Sequence, residues 1–203
     1  LAFNWVHYLR KAFELDRVFM FKWTVNWKFL PEQLFLSKLV SITLFVLHLY
    51  FLGIFACKSL LAAKAQTNRR IFITTGSNNK PRQLLTPEYI LYTIFTSNMV
   101  GIIFARTLHY QFYSWYFHTV PMLLLLSHCS LPSKPTITAS SSSLIRTIML
   151  FIVFLCILMG IEYAFNVYPA TPFSSAVLQL AHFVILILLL FKSSVPQILQ
   201  TVG

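Results

Sequence analysis

Residues 105–118, ARTLHYQFYSWYFH, set one arginine, two histidines and a dense group of aromatics between two apolar runs. A cation and imidazoles at a membrane boundary are expensive to keep and usually have a function. Read as a helix, Arg106, His109, Tyr110 and Tyr113 follow an i, i+3, i+4, i+7 pattern and share one face. Such a face offers a fixed positive charge, an imidazole and two phenols. Those groups suit a phosphate and a sugar held side by side.

A second cluster alternates basic, aromatic and polar residues at 21–31, FKWTVNWKFLP. Tryptophan at headgroup depth with snorkelling lysine anchors many membrane segments. Two tryptophans bracketing an asparagine also make a carbohydrate platform. Trp23 and Trp27 would stack on sugar rings and Asn26 would supply paired hydrogen bonds. Glu162 is the one acid inside an expected span, and a carboxylate at such depth is a functional candidate unless it pairs with a cation such as Arg106. Cys57, Cys129 and Cys156 show neither a CxxC pair nor a histidine at ligand spacing. No disulfide framework, metal site or other cofactor is therefore expected.

These groups need elements to position them, and composition says which kind. Of 203 residues, 57% are hydrophobic and only 10% charged. That balance fits an all-α polytopic membrane protein rather than a soluble domain. Aromatics at 16% suit belts at the two interfaces. Residues 1–38 are amphipathic and too interrupted by charge to cross, so they read as an interfacial segment. About five spans follow within 39–191, near 39–56, 89–105, 116–126, 147–165 and 176–191, with a tail at 192–203. Between the first two spans, residues 57–87 read as a hydrophilic loop. The chain starts with Leu1 and has no leader pattern, which suggests part of something longer.

Net charge is +11. The basic residues flank spans instead of forming one solvated patch, which argues against nucleic acid. Counting Lys and Arg in the short loops puts residues 57–87 in the cytosol. The segment 1–38, residues 106–113 and the loop 166–175 then share the lumenal side. Six basic residues in 1–38 oppose that orientation by the same rule, so they are read as functional.

The stretches RVFMFKWTVNWKFLP (17–31), TSNMVGIIFARTLHYQFYSWYFHTVP (96–121) and GIEYAFNVYPAT (160–171) resemble the dolichyl-phosphate-mannose-dependent α-1,3-mannosyltransferases of the endoplasmic reticulum. The resemblance spans most of the chain and implies the C-terminal half of a GT-C-like transmembrane helix bundle. It implies mannose transfer from dolichyl phosphate mannose to a dolichyl-pyrophosphate-linked Man5GlcNAc2 oligosaccharide during N-glycan precursor assembly, in a multi-pass membrane protein that also contacts membrane lipid. The catalytic base, an aspartate in such enzymes, is expected upstream of residue 1, so the fragment alone is expected to be inactive. Arg106 and His109, with Arg17 and Lys22 as further candidates, would bind the donor phosphate. Trp23, Asn26, Trp27, Tyr110, Tyr113 and Glu162 would contact sugar or acceptor. The alternatives are a membrane lipid or solute transporter, or a non-catalytic membrane subunit. A transporter needs polar groups running through several spans to a midplane site, whereas here they gather at one edge.

Overall fold

The computed structural model describes residues 5–8, 21–74, 82–128, 141–191 and 199–202. The order is a 3₁₀ turn at Phe21–Trp23, then α1 (Glu32–Phe35), α2 (Lys38–Thr74), β1 (Arg82–Leu85) and α3 (Pro87–Phe104). A 3₁₀ turn at Tyr110–Phe112 leads into α4 (Tyr113–Tyr116), followed by α5 (Thr119–His128), α6 (Ser141–Asn166), α7 (Pro172–Phe191) and β2 (Leu199–Val202).

Local chemistry sets where the helices begin. Thr86 caps α3 by accepting from the Tyr89 amide at 3.3 Å, Pro87 opens the first turn, and Glu88 faces its positive end. At α7 the Ser174 amide donates to the Thr171 hydroxyl at 3.1 Å, and the Thr171 amide donates to the Ser174 hydroxyl at 3.0 Å. Pro172 again sits just inside the start. Ser37 opens α2 by accepting from the Val40 amide at 3.3 Å.

Three helical stretches are long and apolar enough to cross a membrane among the described residues: Lys38–Gln66, Thr147–Asn166 and Pro172–Phe191. They fall on the first, fourth and fifth expected spans. The second lies in α3, 18 residues long. The third falls on α4 and the ten-residue α5, which reaches only ~15 Å at 1.5 Å per residue.

The expectation of a loop at 57–87 is corrected. Helix α2 continues to Thr74. Residues 57–74 grow more polar but contain no proline or glycine, and Ala, Leu, Lys, Arg and Gln are strong helix formers. Hydropathy marked the end of the apolar span, not the end of the helix. The rest of that region also holds β1, which pairs antiparallel with β2 in the expected tail, Arg82 opposite Val202 and Leu85 opposite Leu199. This two-stranded ribbon is a small addition to a helical bundle.

Helix α7 is the centre of the bundle. Half of its apolar stretch is buried, against 22% for that of α6 and 11% for that of α2. Its buried face carries Leu178, Ile185, Leu186 and Leu189, which join Met99, Val100 and Ile103 of α3, Leu123 and Leu124 of α5, and Ile157 and Ile161 of α6 in one core. Gly160 lets α6 come close to α7: a Cβ built there would meet a Val177 methyl at 3.4 Å. At the far end of α7 the Lys58 ammonium donates to the Leu190 and Leu189 carbonyls at 2.7 and 3.3 Å. A cation there satisfies open carbonyls at the negative end of the helix.

Candidate functional site at one rim of the bundle

Helices α2 and α7 begin, and α3 and α6 end, at the same rim. The connecting segments 21–31, 105–113 and 167–171 meet there. The first of these was expected to lie on the membrane surface. Instead Thr24, Val25 and Asn26 are completely buried, and they close the end of α3.

That closure explains the local structure. The Asn26 amide donates to the Ala105 carbonyl at 2.8 Å and to the Ile102 carbonyl at 3.3 Å. The Trp27 indole N–H donates to the same Ala105 carbonyl at 3.1 Å. These are carbonyls that a helix leaves open at its C-terminus. Next the Val25 amide donates to the Leu108 carbonyl at 2.7 Å, and the Leu108 amide donates to the Thr24 hydroxyl at 3.3 Å. Leu108 itself is driven into the core. Trp27 has φ 56°, a left-handed conformation rare for a bulky residue. The indole bond and its contacts with Phe29 and Phe183 hold it there.

The expected single helical face through Arg106, His109, Tyr110 and Tyr113 is therefore corrected. The backbone turns extended at Ala105 and stays non-helical to His109; helix returns only at Tyr110–Phe112 and α4. The rival set of backbone partners from 24–27 defeats helical periodicity. The four side chains fan out over the rim. The Arg106 guanidinium donates to the Ser41 hydroxyl at the start of α2 and lies 5.8 Å over the Phe35 ring. Burial lowers its pKa. His109 Nδ1 is 3.1 Å from the Trp23 carbonyl and its ring stacks on Phe112.

The two tyrosines lock the rim to α6 and the loop after it. Tyr110 donates to the Val167 carbonyl at 2.8 Å. Burial raises its phenol above the ordinary range. Tyr113 donates to Glu162, whose other carboxylate oxygen accepts from the Asn166 amide at 2.8 Å. Burial, then the Glu162 carboxylate, pushes Tyr113 up to about 12. Glu162 thus pairs with a phenol and an amide where a partner cation, Arg106, was the duller expectation.

One feature of the rim was not anticipated from the residues. Tyr168 stacks on Trp23, ring centroids 6.4 Å apart at 30°, and Tyr110 packs edge-on against Tyr168 at 5.5 Å. Tyr168 is 64% and Trp23 41% exposed, so the pair presents open ring face. The Lys22 ammonium lies 5.4 Å over the Trp23 ring. The opposite holds for Asn26, whose buried amide faces protein groups throughout, and Trp27 is half-buried against Phe183. Gln179 was also missed, as an isolated amide in an apolar helix; it donates to Asn26. His182, fully buried in α7, meets the Tyr116 hydroxyl at 2.9 Å. Arg17 lies outside the described residues. Among the described residues no group of three His, Cys, Asp or Glu is placed to hold a metal ion.

Comparison with known proteins identifies the relatives of this chain. The family model described as ALG3 protein matches residues 1–175. The probable Dol-P-Man:Man(5)GlcNAc(2)-PP-Dol alpha-1,3-mannosyltransferase of Dictyostelium discoideum is 42% identical over 188 residues, covering 93% of this chain and 37% of that protein. The Dol-P-Man:Man(5)GlcNAc(2)-PP-Dol alpha-1,3-mannosyltransferase of Mus musculus is 40% identical over 201 residues, covering 97% and 41%. The Homo sapiens protein of the same name is 42% identical over 183 residues, covering 89% and 37%. No solved structure matches the chain. The chain spans about two-fifths of the length of these relatives. A helical membrane bundle whose 21–31, 105–113 and 160–171 segments all lie within the matched stretch, and whose likeness covers most of its length, belongs to the ALG3 protein family.

Proposed function

We propose that this chain supplies the donor- and acceptor-contacting rim of a dolichyl-phosphate-mannose-dependent α-1,3-mannosyltransferase of the endoplasmic reticulum membrane. The donor is dolichyl phosphate mannose and the acceptor dolichyl-pyrophosphate-linked Man5GlcNAc2, as the names of the relatives indicate for those proteins. The rim faces the lumen. The observation that carries the reading is the convergence of Arg106, His109 and the open Trp23–Tyr168 pair on neighbouring segments at one end of the bundle. A lipid phosphate and its sugar arrive together at that depth.

In the reaction the bond between the mannose anomeric carbon and the phosphate oxygen breaks as a bond forms to an acceptor hydroxyl oxygen. The hydroxyl proton passes to a carboxylate base. Negative charge grows on the departing dolichyl phosphate, and Arg106 with His109, supported by Lys22 and Arg17, stabilises it. Trp23 and Tyr168 stack on a sugar face. Tyr110, Tyr113 and Glu162 keep the rim in shape beside them. Asn26 and Trp27 serve the site from below, by holding the loop that bears Arg106 and His109.

The test is transfer of labelled mannose to lipid-linked oligosaccharide in microsomes lacking their own transferase, supplied with the complete protein. Arg106→Ala and His109→Ala are each expected to lower kcat/KM by about 10²-fold, the scale of losing one charge-stabilising contact. Near-normal transfer by both variants overturns these roles.

A further inference from the structure

We infer that Gln179, deep in α7, is a positioning residue for the loop that carries Arg106 and His109, acting through Asn26. The inference rests on the proposed role of those two residues at the donor phosphate.

An asparagine side chain has one accepting and one donating end of nearly equal shape. Two backbone carbonyls, Ile102 and Ala105, face one end of Asn26, and carbonyls only accept. The NH2 group must point at them, so Oδ1 points the other way, at Gln179. Gln179 meets it with its own NH2. A group without a donor at position 179 would leave Oδ1 buried and unpaired. It would also remove the bias that keeps the Asn26 donor on α3.

The consequence runs to the rim. Asn26 closes the end of α3 at Ala105, and Arg106 is the next residue. Gln179 and Asn26 are 3% and 0% exposed and lie 153 positions apart in sequence, so the link is a buried tie between the central helix and the loop. Its donor has one task, and its acceptor Oε1 has no hydrogen-bond partner among the described residues. One turn further along α7, the Tyr116–His182 bond is equally buried, and among the described residues neither side chain hydrogen-bonds to segments 24–27 or 105–109. It therefore serves as an internal control for loss of buried polar packing.

Gln179→Met keeps the volume and removes the donor. In the microsomal assay it is expected to raise the donor KM about tenfold, and Asn26→Ala to do the same. The double variant should match either single one rather than multiply them, because both act through one contact. His182→Phe should lower the yield of active protein and leave the donor KM alone. Amide hydrogen exchange of the purified protein gives a readout independent of turnover: in Gln179→Met, residues 105–109 should exchange faster than in the parent while α7 does not. Unsubstituted protein that transfers no mannose would overturn the proposed function. Normal transfer with an unchanged donor KM in Gln179→Met, or exchange that rises evenly along the chain, would overturn this inference.

Discussion

Tyr168 and Trp23 form the exposed ring pair of the rim. Both are exposed, and they are held stacked by neighbours that are themselves hydrogen-bonded, Tyr110 to Val167 and His109 to Trp23. Ring contacts of this kind contribute about 0.5–1.5 kcal/mol. Tyr168→Ala is therefore expected to raise the KM for one sugar substrate by about three- to tenfold with kcat nearly unchanged, measured by titrating acceptor and donor separately. An unchanged KM for both would remove Tyr168 from the sugar contacts. Tyr113 offers a different test. Its folded-state phenol lies near 12, above the ordinary value near 10, so the folded chain holds that proton more tightly than the unfolded chain. By linkage the resulting stability is fully present below pH 10 and is lost as pH climbs from 10 to about 12. Thermal unfolding in detergent should show a gap between the parent and Tyr113→Phe that is flat from pH 7 to 10 and then narrows. A gap independent of pH up to 12 would refute the phenol–carboxylate pairing.

Among the elements, α7 carries the most. It is capped at its start by Thr171 and Ser174, tied at its end by Lys58, and buried along half its span. Loss of an N-cap costs about 1 kcal/mol. Thr171→Ala should lower unfolding stability by that amount, and Thr171→Ser should restore most of it; denaturant midpoints at constant slope would measure both. Helix α3 depends on a cap of another kind, supplied by segment 24–27 from far away in sequence. That is why the expected helical face across residues 106–113 does not form. Local spacing favoured a helix there, but Leu108 packs into the core and its amide and carbonyl pair with Thr24 and Val25. Tertiary partners outbid local propensity wherever they satisfy the same backbone groups.

At the scale of the whole molecule, the two ends differ in kind. One end gathers Arg106, His109, Lys22 and the aromatic pair; the other holds the polar extension of α2, the β1–β2 ribbon and the Lys58 tie. The proposed lumenal placement of the rim predicts which face of the membrane each end is reached from. Single cysteines introduced at His109 and Tyr168 should react with an impermeant maleimide only when the lumenal face is open. One at Leu85, exposed on the ribbon, should react from the cytosolic face. Labelling of positions 109 and 85 from the same face would end the orientation argued here.

Much of this was legible in the linear order of residues. Long apolar runs are sufficient for membrane-crossing helices, because the bilayer leaves the backbone few other ways to satisfy its hydrogen bonds. A cluster of cations, imidazole and aromatic rings next to such runs marked the edge at which segments 21–31, 105–113 and 167–171 meet. The resemblance in 17–31, 96–121 and 160–171 named the family. Pairings across long stretches of chain were not readable. Nothing near Asn26 says that it faces α3 and Gln179, nothing near Tyr168 says that it stacks on Trp23, and nothing near Lys58 announces the end of α7. Hydrogen bonds and ring contacts depend on where a residue ends up in space, and that is set by how whole helices pack, not by any residue's neighbours in the chain.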